Sequence, residues 1–541
     1  MPDDLRGLGV SPGRTAGPVH AMGAPPVLPA EVPSPGPDET ERAAKALQFV
    51  ATSLDELAAQ VTGAAAEVLA TQSMMAADMT LAEAVTTKVG EGRPAAWAIT
   101  DAIAEQQEQF VSLGGYFAER AADLADIRDR AVAWLFDVPM PGLPRPGVPY
   151  VLVADDLSPA DTALLDDSVL AIVTRRGGPT SHTAILARAR GLPAVVGCAD
   201  VLSISDGTLV SVDGVTGAVS VVSEAEAAEV AAAGREERER NEALTGPGQT
   251  ADGVAVPLLQ NVGGAKDLAP DGEGVGLFRT EFLFLGRTTA PPVAEQETAY
   301  RELFEAAGDR KVVLRTLDAG ADKPLPFLGL ASEDNPALGV RGLRTSRVDP
   351  SVLGEQLEAV SRAATATSAD VWVMAPMVAT AQEAEEFAAL VYKAGLRTAG
   401  VMIEVPAAAL KARQILASVD FVSLGTNDLS QYTMAADRMN GELADLLDPW
   451  QPAVLELVAL VASAGQELGK PVGVCGESAG DPLLACVYAG MGITTLSMSA
   501  PSVAAVRASL ASRSMDECKR LAELALAAPN AESARKAVAE A

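Results

Sequence analysis

Histidine is nearly absent from this chain of 541 residues, which carries only His20 and His182. Any imidazole chemistry must fall on one of those two positions. Cysteine is almost as scarce: Cys198, Cys475, Cys486 and Cys518 lie far apart. That spacing excludes a disulfide framework and a paired-cysteine metal site, and it points to a reducing compartment. Basic residues are outnumbered, 41 Lys and Arg against 72 Asp and Glu, for a formal net charge of −31. Such a balance disfavours a sequence-independent grip on nucleic acid or an anionic membrane and favours a basic partner. There is no uninterrupted apolar run of ~18 residues, and the start MPDDLRGLGV lacks the charged and apolar regions of a secretory signal. A cytoplasmic protein without membrane insertion is expected, with three or four domains at roughly 150 residues each.

What is present is strongly patterned. GLGVSPGRTAGPVHAMG reads as a strand and glycine-rich turn, and the proline-rich run Pro25–Pro37 that follows can join neither a helix nor a central strand. From Asp38 to Asp137 the chain is rich in Ala, Leu, Glu and Gln, with Leu47, Val50, Leu54 and Leu57 at helical spacing. This predicts a helical insert over 36–143. Its 17 acidic and 7 basic side chains between Asp38 and Asp137 suit either a solvated face or a docking surface. After PMPGLPRPGVP come short β-branched runs: Tyr150–Val153, Val169–Thr174, Ala194–Val196, Leu209–Val212 and Ala218–Val222. The lone N-terminal strand has no partner of its own. It is expected to pair with these runs, giving a discontinuous α/β domain over 1–24 and 146–222. Ser223 and Glu226 form an S-x-x-E capping box that opens a linker helix, 223–248, with a hinge expected at Gly234 or at Gly246-Pro247.

Over 250–541 eight β-type runs alternate with helical stretches: Val256–Val262, Gly274–Arg279, Val312–Leu317, Val371–Ala375, Val401–Val405, Phe421–Leu424, Val472–Cys475 and Thr494–Met498. Their number and spacing predict a C-terminal (β/α)8 TIM barrel, so the chain is expected to be a multidomain α/β protein. Active sites of that fold lie at the C-terminal ends of the strands. There the sequence places Arg279-Thr280-Glu281, Arg315-Thr316-Leu317-Asp318, Glu404, Thr426-Asn427-Asp428 and Cys475.

Two chemical centres follow. In Thr174-Arg-Arg-Gly-Gly-Pro-Thr-Ser-His182-Thr-Ala-Ile-Leu-Ala-Arg188 a strand and glycine turn precede a helix that should begin near His182, capped by Thr180 or Ser181 and closed by Gly191. Free N–H groups and the helix dipole favour an anion there, which suits a phosphorylated imidazole. His20, placed by the sequence in a loop after a strand, carries no comparable context. At the strand ends, Arg279, Arg315 and Arg438 could fork onto phosphate oxygens, while Glu404 and Asp428 offer the hard oxygens that Mg²⁺ prefers. Asn427 could hold a polar end of the substrate, and the Cys475 thiol could deliver a proton. A small buried hydrophobe is the plainer reading of the other three cysteines.

The segment GG-x-T-S-H-T-A-I-x-A-R resembles the phosphohistidine segment of enzymes that use phosphoenolpyruvate. VGLFRTEFLF, VLRTLDAGADKPLPF, MIEVPAAA, SLGTNDLSQYTMAADRMN, GVCGESAGD and SMSAPS extend the resemblance over nearly the whole chain, to the enzyme I family of the sugar phosphotransferase system. The resemblance implies that phosphoenolpyruvate phosphorylates His182 at Nε2 and that His182 passes the group to a histidine of the phosphocarrier HPr. It further implies that Arg279, Arg315, Asn427, Asp428 and Arg438 bind substrate, that Glu404 and Asp428 hold Mg²⁺, and that Cys475 is the proton donor. The insert would then bind HPr, the barrel would bind phosphoenolpyruvate and form a homodimer, and Lys323 falls in a matching segment. Arg175 and Pro179 depart from the family pattern. Two alternatives are a nucleotide-dependent phosphoenolpyruvate synthase or dikinase, for which the chain leaves no room for an ATP-binding domain, and a non-catalytic phosphoenolpyruvate sensor, which would need neither His182 nor Cys475.

Overall fold

The computed structural model describes residues 4–541 except 24, 59–63, 114, 139, 158–160, 162–163, 179–180, 270–271, 286, 321–324, 332, 439 and 441–442. Lys323, Pro179 and Thr180 therefore lie outside the described residues. The chain forms two compact units: Met1–Ala16 with Arg176–Ala199 and Ser211–Ala541, and Gly17–Arg175 with Asp200–Val210.

Eight strands belong to the first 221 residues: β1 (Asp4–Arg6), β2 (Leu8–Ser11), β3 (Arg14–Ala21), β4 (Tyr150–Ala154), β5 (Val169–Thr174), β6 (Ala194–Val196), β7 (Leu209–Asp213) and β8 (Ala218–Val221). The N-terminal strands pair with strands that follow the helices. β3 runs parallel to β4 with Val19 opposite Val151, and β4 parallel to β5 with Leu152 opposite Ile172. β1 is antiparallel to β8 and β2 to β6. β4 is buried along its whole length, as its unbroken apolar run between two strands requires.

Between β3 and β4 the described residues form five helices: α1 (Glu39–Ala58), α2 (Ala64–Ala76), α3 (Met79–Gly90), α4 (Ala95–Leu113) and α5 (Gly115–Phe136). Leu47, Val50 and Leu54 turn inward on α1 and meet Ile99 and Ile103 of α4 and Ile127 of α5. Glu39, in the first turn of α1, is buried and accepts from the amides of Gly36 and Ala95 at 3.0 and 2.8 Å, fixing one helix start to another.

Helix α6 (His182–Arg190) begins at Ser181, whose hydroxyl accepts from Ala184 N at 3.3 Å, and ends at Gly191 with φ 64°. Helix α7 (Glu224–Ala243) opens on the Ser223/Glu226 capping box and runs unbroken through Gly234. Gly234 serves packing: a Cβ there would stand 1.9 Å from the Arg14 carbonyl oxygen, so only glycine lets the helix lie so close to β3.

The barrel strands are β9 (Leu258–Val262), β10 (Gly274–Arg279), β11 (Lys311–Arg315), β12 (Asp370–Ala375), β13 (Ala399–Ile403), β14 (Phe421–Leu424), β15 (Val472–Val474) and β16 (Thr495–Met498). All are parallel and the sheet closes, Leu496 of β16 pairing with Leu258 of β9. Leu277, Val313, Met374, Met402 and Phe421 plug its interior. Several strands end before the apolar run does. β13 stops at Ile403, whose carbonyl accepts from Gly425 N, and β11 at Arg315, whose carbonyl accepts from the Thr280 hydroxyl.

Candidate active site

The C-terminal rim of the barrel gathers interlocked charges. Arg279 and Arg315 end β10 and β11 and stand opposite each other in register. Arg315 is buried; its Nη2 donates to Glu281 Oε1 at 2.8 Å and its Nη1 lies 3.3 Å from Asp318 Oδ2. Burial works against its charge, but Glu281 and Asp318 outweigh burial and raise its pKa, so the guanidinium stays protonated. Glu281, in the turn Thr280–Leu283, also accepts from Asp318 N at 3.1 Å.

Glu404 leaves β13 at the rim and is 1% exposed. Its Oε1 accepts from Met377 N at 2.6 Å. Met377 holds φ at 61°, a left-handed conformation that costs a non-glycine residue about 1–2 kcal/mol; here it accompanies an amide aimed at a carboxylate. Burial, then Asp428 and Asp318, push the Glu404 pKa up to about 8. Asp428 sits in the first turn of the helix Thr426–Met434, accepting from Arg341 Nη1 at 3.2 Å and from Arg438 Nη1 at 3.3 Å. Just before that helix, a Cβ on Gly425 would meet Glu404 Oε2 at 2.7 Å. Glycine is what lets the two acidic segments approach. Asn427 is half-buried and lines a cleft together with Arg438 and Glu477.

Cys475 lies one residue past β15, above the apolar plug. Its Sγ is 3.6 Å from the Leu424 carbonyl, and its own carbonyl accepts from Asn261 Nδ2 at 3.2 Å. Burial pushes the thiol pKa up to about 11, so it holds its proton at neutral pH.

The rim thus unites Arg315, Glu404, Asp428, Arg438 and Cys475. Arg279 joins through Glu477, its Nη2 lying 3.0 Å from Glu477 Oε1, and Glu477 Oε2 lies 3.2 Å from Nη1 of Arg188 on α6. Sequence reasoning gave Arg341 no role. It is 1% exposed and bridges Asp428 to Asp318, 3.3 Å away. Arg341 lies outside any strand end, close to Arg344 and Arg347; the one local signal was its Gly-Val-Arg-Gly frame, in which Gly342 adopts φ 57°. Asp318 was visible near a strand end but without an assignment.

His182 is the first residue of α6, and its side chain lies outside what the structure describes. His20 stands within β3, not in a loop after it; its Nδ1 is 3.8 Å from Asp206 Oδ2 and its ring meets Tyr150 edge-on. Arg175 pairs with Asp155 at 2.6 Å on an exposed surface, a bond worth little in water. Cys198, Cys486 and Cys518 are buried and form no disulfide. Among the described residues no helix is long and apolar enough to cross a membrane.

Comparison with known proteins matches this arrangement. Residues 237–515 match the PEP-binding domain of PEP-utilising enzymes, 147–217 their mobile domain and 6–120 their N-terminal domain. By class the chain is therefore a phosphoenolpyruvate-utilising enzyme. A phosphoenolpyruvate-protein phosphotransferase of Streptomyces coelicolor is 50% identical over 99% of this chain and 99% of its own. Proteins of the same name from Haloferax volcanii and Bacillus subtilis are 42% and 38% identical, over 83% and 78% of this chain and 82% and 79% of theirs. The chain belongs to the family of phosphoenolpyruvate-protein phosphotransferases.

Proposed function

We propose that the protein takes the phosphoryl group of phosphoenolpyruvate onto His182 Nε2 and passes it to a histidine of HPr. The observation that carries this reading is the rim itself: arginines and carboxylates from strand ends and rim loops converge beside a protonated thiol. Arg279, Arg315 and Arg438 grip the phosphate and carboxylate of the substrate, with Arg341 fixing Asp428 between them. Phosphoryl transfer asks mainly for positioning and for positive charge around the equatorial oxygens. Asn427 orients the substrate's polar end. As the enol oxygen loses phosphorus, Cys475 gives its proton to the methylene carbon, and its raised pKa keeps that proton available at neutral pH.

Glu404 and Asp428 fit a divalent cation. They approach each other in a buried place where Glu404 is short of compensating positive charge. Among the described residues no group of three or more His, Cys, Asp or Glu forms a cage. Two carboxylates that leave the remaining positions to substrate oxygens and water suit Mg²⁺. When bound, the ion would neutralise charge on the substrate's oxygens.

In this reading residues 1–24 and 146–222 carry the phosphohistidine, 36–143 receive HPr on an acidic face, 223–248 connect, and 250–541 bind phosphoenolpyruvate and associate with a second barrel. The test is labelling by radioactive phosphoenolpyruvate with Mg²⁺. The intact chain should label and His182→Ala should not; chelation should suppress labelling, HPr should discharge it, and light scattering should report a dimer. An unlabelled wild-type chain would favour a sensor, and labelling by ATP a dikinase. Neither is favoured by a relative that matches 99% of both chains under the phosphotransferase name.

A further inference from the structure

Resting on the phosphotransferase reading above, we propose that Glu477 is a positioning residue: its carboxylate latches the helix that carries His182 onto the barrel rim for transfer from phosphoenolpyruvate, and lets go for transfer to the carrier.

Helix α6 and the barrel belong to one compact unit. α6 has nine residues, about 13 Å at 1.5 Å per residue, so a bond at Arg188 orients the helix as a body, His182 included. Arg188 is tied on one side to the N-terminal strands, its Nε donating to the Val10 carbonyl at 2.6 Å. On the other side its Nη1 lies 3.2 Å from Glu477 Oε2, while Glu477 Oε1 lies 3.0 Å from Arg279 Nη2. One carboxylate thus serves two arginines, one on the helix and one on the rim.

The surroundings make that carboxylate decisive. The Arg188 side chain is 8% exposed and that of Glu477 15%, so water screens that pair poorly, while Arg279 is 33% exposed. Burial alone would favour a protonated Glu477, but Arg188 and Arg279 outweigh it and hold the carboxylate charged. Without Glu477 two guanidiniums would face each other in an enclosed place, and separation of the helix from the rim would relieve them. The rest of the seat is steric. A Cβ on Gly178 would come 3.3 Å from Ala444 Cβ, and one on Gly191 3.3 Å from Pro501 Cβ, so the chain at both ends of α6 abuts barrel loops.

The chemistry needs a latch that releases. In the first half-reaction the imidazole must be in line with the phosphate at the rim; in the second, the carrier's histidine must reach the same phosphoryl group. A contact made only in the first position speeds only the first step.

The test separates the two steps in the full-length protein. In rapid-quench labelling at saturating phosphoenolpyruvate and Mg²⁺, Glu477→Gln should slow phosphorylation of His182 at least tenfold. Each chain is then labelled to completion, freed of substrate and mixed with HPr, and discharge should stay within about threefold of wild type. Arg188→Met should reproduce this split, Arg188→Lys should recover most of the first rate, and the double variant Glu477→Gln/Arg188→Met should be no slower than either single change. Equal loss in both steps would mark Glu477 as merely structural and overturn the latch. So would Glu477→Gln labelling at the wild-type rate, or slowing with Glu477→Gln but not with Arg188→Met, which would assign the effect to Arg279. A wild-type chain that never labels would instead refute the phosphotransferase reading.

Discussion

The barrel rim and helix α6 are held in opposite ways. At the rim several charged groups are bonded more than once: Arg341 to two acids, Asp428 to two arginines, Glu281 to a guanidinium and an amide. Helix α6 has a cap at its first turn, a left-handed glycine at its last, a bond from Arg188 to the Val10 carbonyl, and one carboxylate between Arg188 and the rim. Groups that must stabilise a charged transition state gain from being fixed beforehand. A group that must serve two partners gains from few bonds.

Five changes should sharpen that contrast. Cys475→Ser should cost the most in rate. Losing a positioned acid typically costs ~10²–10⁴-fold, read as pyruvate release in a single turnover, whereas the barrel's urea transition should hardly move. Arg341→Ala should cost the most in stability, because it removes the buried cation that Asp318 and Asp428 share and leaves each acid a single arginine, Arg315 and Arg438. Breaking a buried pair costs about 3–5 kcal/mol, so the urea midpoint should fall; an unmoved midpoint would mean the rim tolerates loose charges. Gly234→Ala forces a Cβ towards the Arg14 carbonyl, and overpacking of this kind costs ~1–3 kcal/mol. The melting temperature should drop, and Gly246→Ala, with φ 105° and open space around it, should differ by showing backbone strain alone. Ser181→Ala should cost least, ~0.5–2 kcal/mol of local helix stability. Faster hydrogen exchange confined to the first turn of α6 should report it; exchange spreading to the rim would show that the two regions are less separable than their bonding suggests.

Much of this was legible because period and punctuation are local properties. Eight apolar runs in the right order predict the barrel, and Ser181, Gly191 and the Ser223/Glu226 pair mark helix ends by residue type alone. Strand ends were readable to within two residues, enough to place Arg279, Arg315, Glu404 and Cys475 on one rim. Arg341 escaped because it arrives by a loop, and a loop's destination depends on long-range contacts that no spacing encodes. The same holds for Gly234. A glycine inside a helix looks like a hinge until the Arg14 carbonyl beside it is known. Met377 hides for a different reason, since nothing in its side chain advertises a left-handed backbone.

Closure of the barrel carries a cost in time. Leu496 must find Leu258, a partner well over two hundred positions earlier in the chain, and pairings so remote in sequence form slowly. During synthesis the helical insert can assemble from near neighbours, while the rim acids and the thiol wait on an open, unfinished ring until its final stave emerges. A chain halted ahead of Thr495 should therefore keep a folded front portion yet lose the cooperative unfolding of the rest, as proteolysis of stalled products would reveal.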